Sequence, residues 1–198
     1  CSGFKGDLTI PNSVQTIEGA AFAECSGFTG DLTIGNSVET IGSSAFYGCS
    51  GLTGDLTIPD SVTSIGNQTF YSCSELTGVT IGDSVQTIGD YAFRNCSKLT
   101  GDLTIPDSVQ TIGKYAFTGC TGFNGGLTIG DSVQTIGNSA FYNCSGFKGD
   151  LTIPNSVQTI VRNAFYGCIG LTSVTMSTAT GATLGIKSGT GVNFYGVT

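Results

Sequence analysis

A short pattern of apolar and polar positions recurs along the whole chain. It begins with Leu8-Thr9-Ile10, in which two apolar residues flank a polar one. This alternation, in residues that favour extended backbone, predicts a β-strand with one buried face. Pro11 and Asn12 follow. Because proline lacks a backbone N–H and asparagine bonds nearby backbone groups, we expect the strand to end in a turn.

The second half of the pattern has a different spacing. Val14 and Ile17 lie three residues apart, and Ala21, Phe22 and Cys25 come close behind them. This compact grouping predicts a short, irregular or 3₁₀-like return segment and no full helix.

The pattern repeats at an almost constant interval, which the cysteines mark. Their spacings are 24, 24, 24, 23, 24, 24 and 24 residues, at positions 1, 25, 49, 73, 96, 120, 144 and 168. Self-similarity at a period of roughly 20 to 50 residues is typical of stacked arrays. We therefore predict one solenoid domain, with seven units in residues 1–167 and a degenerate repeat or cap in residues 168–198. Stacking would collect the apolar positions into buried columns and the Leu-Thr-Ile segments into a parallel sheet.

One unit, residues 73–95, is a residue shorter than the others. It lacks the aspartate that precedes the strand in its neighbours, such as Asp55 and Asp102. The segment Leu171-Thr172-Ser173-Val174 lacks it as well. We interpret this aspartate as an insertion at the strand entrance, accommodated by a bulge or a wider turn.

The motif LTGxLTIPxSVxxIGxxAFxxC resembles the BspA-like class of leucine-rich repeats. The resemblance extends from Cys1 to Cys168, with minor departures at Glu18, Thr69 and Val161. It implies a β-rich leucine-rich-repeat array of 23–24-residue units, with a one-sided parallel β-sheet and short irregular returns. Members of the class are typically secreted or cell-surface proteins of bacteria and some protists, often implicated in adhesion, so the resemblance implies an extracellular or cell-surface location.

The two ends of the chain depart from the regular array. Thr183-Leu184-Gly185 and Asn193-Phe194-Tyr195-Gly196 resemble parts of the motif, with an insertion of about five residues between repeats. The start at Cys1 is in phase with the repeat and has neither a signal peptide nor a polar cap. We expect a fragment of a longer array, or a first unit that another copy covers.

Composition narrows the classes of function. Only 11% of residues are charged, the net charge is −7, and there is no histidine. An acidic chain with scattered lysines is not typical of nucleic-acid binders, and no apolar run is long enough to cross a membrane. Without histidine, the common nucleophile–base pairs and transition-metal sites are excluded. A repetitive chain also lacks the unique constellation that catalysis needs, so we predict no enzymatic activity and no cofactor.

The cysteine column allows three interpretations. No CxxC pair suggests a metal site, and stacked identical side chains point the same way. We therefore favour buried free thiols that fill the core beside phenylalanines, with disulfides and metal binding as weaker alternatives. The column consists of Cys25, Cys49, Cys73, Cys96, Cys120, Cys144 and Cys168.

Two polar columns flank the predicted strands, and a third runs along them. Aspartates such as Asp31 and Asp55 precede the strands, and asparagine or aspartate follows them at Asn36 and Asp60. Calcium between stacked carboxylates is one hypothesis, but the exchange of Asn for Asp favours residues that accept backbone N–H groups in their own turn. The third column is threonine, as in Thr33. It suggests ice binding or, more simply, an exposed strand face.

Chemical variety between units is concentrated in the return segments. Tyrosine and arginine, which are enriched in binding hot spots, occur there. The candidate partner-binding residues are Tyr47, Tyr71, Tyr91, Arg94, Tyr115, Tyr142 and Tyr166. The simpler interpretation is that these rings only pack on their neighbours.

These observations favour a non-enzymatic interaction scaffold, an adhesion or protein-binding module. Its partner would be a protein or glycan on another surface, or further copies of the chain. The alternative is a structural subunit of an extracellular filament or stalk, because near-identical units leave matching end faces. A passive spacer in a longer stalk is the third hypothesis.

Overall fold

Each repeat contributes two short strands to a β-solenoid. The structure, a computed structural model, describes residues 3–176, and within that range it contains no helix. Successive turns of the solenoid are parallel and about one unit apart in sequence, so the predicted parallel-sheet solenoid is confirmed. The seven return segments consist of turns. The sequence-based expectations for residues 177–198 lie outside the described part of the chain.

The strands follow the repeat in strict order. The first strand of each unit is β1 (Leu8–Ile10), β3 (Leu32–Ile34), β5 (Asp55–Thr57), β7 (Gly78–Thr80), β9 (Leu103–Ile105), β11 (Leu127–Ile129), β13 (Gly149–Ile153) and β15 (Leu171–Met176). The second strand is β2 (Thr16–Ile17), β4 (Thr40–Ile41), β6 (Ser64–Ile65), β8 (Thr87–Ile88), β10 (Thr111–Ile112), β12 (Thr135–Ile136) and β14 (Thr159–Ile160).

The second strands form a seven-stranded parallel sheet that the sequence analysis did not predict. Each strand pairs with the equivalent residues of the next unit, from β2 to β14 in unbroken order. The isoleucine points into the core in nearly every unit and the residue before it faces outward. Two residues are too few to show an alternation, so stacking between units, and not the local pattern, establishes this sheet.

The first strands do not form one continuous sheet. They pair in twos, as β1–β3, β5–β7, β9–β11 and β13–β15. Each interruption falls directly before a unit whose turn begins with proline, at Pro59, Pro106 or Pro154. Proline offers no N–H to the preceding unit and its ring occupies the space of that hydrogen bond, so it interrupts the ladder.

Proline units alternate with glycine units along the array. The turns of the glycine units begin with Gly35, Gly82 and Gly130, and a Cβ there would lie 2.3–2.7 Å from backbone atoms of the preceding proline. We call this close contact of a proline unit with the glycine unit after it a tight junction, and the contact of a glycine unit with the next proline unit an open junction. The true period of this face is therefore two units.

The strand entrance follows the same two-unit period. Proline units have a glycine with positive φ before the aspartate, with values from +71° to +82°, at Gly6, Gly54, Gly101 and Gly149. Only glycine adopts this backbone region freely. The expected irregularity at the extra aspartate is seen between β13 and β15, where the register shifts between Gly149 and Asp150.

Continuous columns of buried side chains fill the interior. The phenylalanines of successive returns stack with ring centroids 5.2–5.3 Å apart, from Phe22 to Phe165. Leucine, isoleucine, valine and cysteine form parallel columns beside them. Each large buried side chain contributes about 1.5–3 kcal/mol, and it is buried only when a neighbouring unit covers it.

Candidate interaction surface

The return segments are held by hydrogen bonds within and between units. The amides of Ala21 and Ala23 donate to carbonyls three residues back, while those of Ala20 and Phe22 donate to Ser43 and Ala45 of the next unit. The variable side chains occupy three positions per return, which are those of Asp90, Tyr91 and Arg94 in one unit. Their backbone is satisfied by neighbours, so the side chains can vary without loss of the fold.

The tyrosines of adjacent returns stack in pairs. Ring centroids are 4.9 Å apart for Tyr47 and Tyr71, 5.0 Å for Tyr91 and Tyr115, and 5.1 Å for Tyr142 and Tyr166. The interplanar angles are 11–15°. Packing on neighbouring rings, the simpler interpretation of these residues, therefore accounts for one face of each ring.

Arg94 joins two of these pairs. Its guanidinium carbon lies 5.7 Å from the Tyr71 ring centroid, 5.6 Å from Tyr91 and 5.7 Å from Tyr115. Five of the seven candidate residues thus form one continuous surface, which we call the aromatic band: Tyr47, Tyr71, Tyr91, Arg94 and Tyr115.

Tyr142 and Tyr166 form a separate pair. Thr118 occupies the position between them and Arg94, and it is buried, with its hydroxyl donating to the Ser139 carbonyl at 2.6 Å. The sequence analysis also missed Lys114, whose ammonium lies 5.9 Å from the Tyr91 centroid and 3.3 Å from Asp90. Its position in the variable column was the only available signal.

The rings of the aromatic band are half-buried. Among the described residues, no protein group hydrogen-bonds a tyrosine hydroxyl of the band, and none of these hydroxyls is a buried atom without a partner. The hydroxyls therefore reach solvent and are available as donors and acceptors. Such a surface combines fixed apolar rings with free polar groups, as is common at binding sites.

The cysteines lie in the core, away from this surface. All seven described cysteines are buried free thiols. From Cys49 onward each thiol donates to the carbonyl of the return-segment phenylalanine 26 or 27 residues earlier at 3.0–3.1 Å, as Cys49 does to Phe22. Burial raises the pKa of Cys49 to about 11 and that of Cys168 to about 12. Burial also raises the pKa of Cys73, Cys96, Cys120 and Cys144 well above the ordinary value. These thiols are protonated and unreactive at neutral pH.

The Asx residues act across units, which differs from the expectation that each would bond within its own turn. Asn12 accepts the Asn36 amide at 2.8 Å, and Asp60 accepts that of Asp83 at 2.8 Å. At the strand entrance Asp7 accepts the Asp31 amide at 3.0 Å. Within residues 3–176, no three histidine, cysteine or acidic side chains are placed to hold a metal ion.

Two of the open junctions form equivalent shallow clefts. The seven lining residues correspond one to one, with volumes of about 320 Å³ and 280 Å³. Each contains two threonines, two aspartates and the proline that opens the junction. The residues are Leu127, Thr128, Ile129, Asp131, Asp150, Thr152 and Pro154 in one, and Val79, Thr80, Ile81, Asp83, Asp102, Thr104 and Pro106 in the other.

The threonine column runs along the same face. All its described members, from Thr9 to Thr175, are exposed. The ladder beneath them is interrupted at every open junction, so the column does not rest on one continuous sheet. None of the described residues forms a helix able to span a bilayer.

Comparisons with known proteins agree with this architecture. The profile of the BspA type leucine rich repeat region matches residues 4–124 and 124–183, in six copies. No curated protein sequence matches the chain significantly.

Two solved structures are similar to this one. The first is a leucine-rich repeat protein from Bacteroides ovatus, with a TM-score of 0.74 and 31% identity over 85% of this chain. The chain spans 45% of that protein. The second is the leucine rich repeat protein of T. pallidum, with a TM-score of 0.72, 25% identity, and coverage of 83% of this chain and 77% of that one. The repeat motif, the stacked parallel strands and these matches show that the chain belongs to the BspA-type leucine-rich repeat family.

Proposed function

We propose that this protein is a non-enzymatic, secreted or cell-surface adhesion module that binds a protein partner through the aromatic band. The repeat family indicates a protein-interaction scaffold. The observation that carries the proposal is the continuity of the band, in which Arg94 connects two stacked tyrosine pairs.

The physical character of the band supports binding. Tyrosine and arginine supply large contact areas and dominate measured hot spots. Because the rings already stack on one another, little side-chain entropy remains to be lost when a partner binds. The first-strand face presents the same threonine in every unit. It therefore has no chemically distinct patch that a partner could recognise.

The test uses binders selected from a phage-displayed random peptide library on the immobilised protein. A variant with Tyr47, Tyr71, Tyr91 and Tyr115 changed to serine is then compared with the wild type. Other units carry small residues at the equivalent positions, at Ala23 and Thr118 in one column and at Ser44 and Ser139 in the other, so the fold tolerates small residues there. We expect most selected peptides to lose binding to the variant.

The matched control changes four exposed threonines, Thr33, Thr57, Thr104 and Thr128, to serine. It changes the same number of residues on the first-strand face, and binding should persist. Equal binding to the wild type and both variants would contradict the proposal. A glycan array probed with the same three proteins tests whether the partner is a glycan. If glycans bind through the aromatic band and no peptides do, the partner is a glycan and not a protein.

Self-assembly into a filament or stalk is the second candidate function. The observation that favours it is the near-identity of the units, whose ring columns continue from one unit to the next, as from Phe4 to Phe28 at 5.3 Å. A second copy could continue this ring column, because the units are nearly identical. Light scattering across a range of concentrations should then show growth that Phe4→Lys abolishes and the tyrosine changes do not. A concentration-independent monomer would exclude it.

A further inference from the structure

Arg94 is the one cation in a column that elsewhere contains mostly tyrosine. The equivalent residues are Ala23, Tyr47, Tyr71, Thr118, Tyr142 and Tyr166. Three tyrosine rings surround its guanidinium at 5.6–5.7 Å. Cation–π contacts at this distance stabilise the charge, and three of them together restrict the side chain to one position.

The guanidinium has no anionic partner among the described residues. The two ion pairs of residues 3–176 are Lys98–Glu75 at 2.6 Å and Lys114–Asp90 at 3.3 Å. Lys114, the nearest other cation of the band, is therefore already paired. Arg94 differs from both lysines because its charge is held by aromatic faces alone.

The Nε–H of Arg94 is buried and has no hydrogen-bond acceptor. A buried donor without an acceptor costs about 1–3 kcal/mol. The same burial keeps Nε–H out of reach of a partner, whereas the two terminal nitrogens have no hydrogen-bond partner within residues 3–176 and are not buried, so they reach solvent. The terminal edge of the guanidinium is therefore an unpaired cationic group at a unique position in an otherwise regular array.

A carboxylate fits the two solvent-facing terminal N–H groups best. Its two oxygens match the parallel N–H groups of a guanidinium, and such bidentate pairs are among the strongest hydrogen bonds in proteins. The free hydroxyls of the surrounding tyrosines can donate further hydrogen bonds to the same anion. The net charge of −7 opposes the approach of acidic partners, but at physiological salt charges are screened beyond about 8 Å.

We propose that Arg94, with Tyr71, Tyr91 and Tyr115, forms a receptor for a single Asp or Glu side chain on a protein partner. This inference rests on the proposed function and specifies the partner chemistry of the same surface. The protein source is favoured over an acidic sugar because the repeat family is a protein-interaction scaffold.

The sequence allows a direct measurement, because Arg94 and Arg162 are its only arginines. Protein labelled with ¹⁵N-arginine gives two Nε–Hε resonances, and Arg94→Lys assigns them. Titration with N-acetyl-aspartate amide should shift the Arg94 resonance with saturation, at least about tenfold more tightly than the exposed Arg162. N-acetyl-asparagine amide is the uncharged control, and glucuronate represents the sugar source.

Three outcomes would overturn the inference: an equal response of both arginines, an equal response to the asparagine derivative, or tighter binding of glucuronate than of the aspartate derivative. A second arm uses the peptides selected on the whole protein. They should be enriched in Asp or Glu and bind Arg94→Gln about tenfold more weakly, while Lys98→Gln, which removes the same charge elsewhere, leaves binding unchanged.

The two proposals can fail separately. Peptides that need the tyrosines but ignore Arg94→Gln would refute the carboxylate receptor and leave the aromatic band intact. Peptides indifferent to the tyrosine changes would refute the binding surface itself, whatever the arginine resonance shows.

Discussion

At the scale of single residues, the cysteine thiol connects adjacent return segments. The Phe22 carbonyl accepts the amide of Cys25, three residues later, at 3.1 Å and the thiol of Cys49, at the end of the next return, at 3.0 Å. Valine would fill the same space without a donor, and serine would add a more strongly polar group to an apolar interior. The chemistry of the position therefore explains its repetition better than redox or metal chemistry does.

The buried thiols predict a loss of stability in alkali. Their pKa values are raised in the folded state, so above pH 9 the unfolded chain releases thiol protons that the folded chain retains. The free energy of unfolding should fall from about pH 9, by up to about 1.4 kcal/mol per pH unit for each thiol, until the folded thiols themselves titrate at about 11 to 12. Urea unfolding between pH 7 and pH 11 with a phosphine reductant measures this.

The control is Cys96→Val, which removes one of these thiols. The slope of the free energy of unfolding against pH should then fall by the contribution of one thiol. Stability that is flat between pH 9 and pH 11, or a slope that Cys96→Val does not change, would show that the thiols are not buried as described.

At the scale of the strand and its turn, glycine sets the distance between units. Five of the seven second strands are followed by a glycine that stacks on backbone of the preceding unit, whereas Glu18 follows the first of these strands and Val161 the last. A Cβ there would lie 2.6–2.7 Å from that backbone, at Gly42, Gly66, Gly89, Gly113 and Gly137. The five central strands of the sheet, from β4 to β12, are followed by this close approach.

Gly113→Ala should therefore destabilise the protein. The new Cβ would meet the Asp90 amide nitrogen and the Gly89 carbonyl carbon at 2.6 Å, and neither backbone group can move without breaking the sheet. We expect a loss of about 2 kcal/mol or more in urea unfolding. Gly126→Ala is the matched control, since its nearest contact is at 3.7 Å and other units carry aspartate there. Similar losses in both variants would contradict this account.

Most of the strand architecture could be predicted from the sequence, and the remainder depended on contacts between units. The alternation of apolar and polar residues in Leu8-Thr9-Ile10 predicts its strand locally. Thr16-Ile17, in contrast, becomes a strand only because the next unit pairs with it. The hydrogen bond from Asn36 to Asn12 is likewise invisible within one unit. The sequence places Tyr71 and Arg94 in one column. It does not predict that Tyr91 and Tyr115, from a different column, contact Arg94, because this depends on the folding of the return segments.

At the scale of the whole molecule, the array alternates between two kinds of contact. Tight junctions carry paired first strands and open junctions do not, while the second sheet and the core run through both. The four prolines of the chain, Pro11, Pro59, Pro106 and Pro154, are separated by 48, 47 and 48 residues. In a solenoid, stability is approximately a sum of unit and junction terms, so the two junctions should differ measurably.

Two deletions of 24 residues separate these terms. Removal of residues 120–143 joins two proline units, those of Pro106 and Pro154, and eliminates a tight junction. Removal of residues 96–119 joins two glycine units, those of Gly82 and Gly130, and eliminates an open junction. Both variants keep the same number of units and lose similar apolar area, so their difference reports the junctions.

We expect the variant without residues 120–143 to be less stable by about 2 kcal/mol in urea unfolding, since it alone loses a set of first-strand hydrogen bonds worth about 0.5–1.5 kcal/mol each. Each deletion also breaks one tyrosine stack, Tyr142–Tyr166 in the first and Tyr91–Tyr115 in the second, so these losses offset each other in the comparison. Removal of residues 96–143, a complete proline–glycine pair, keeps the alternation and should preserve a single cooperative transition. Equal midpoints for the two shorter deletions, or the reverse order, would mean that the prolines interrupt the ladder without weakening the contact, and that the one-unit period is the energetic repeat.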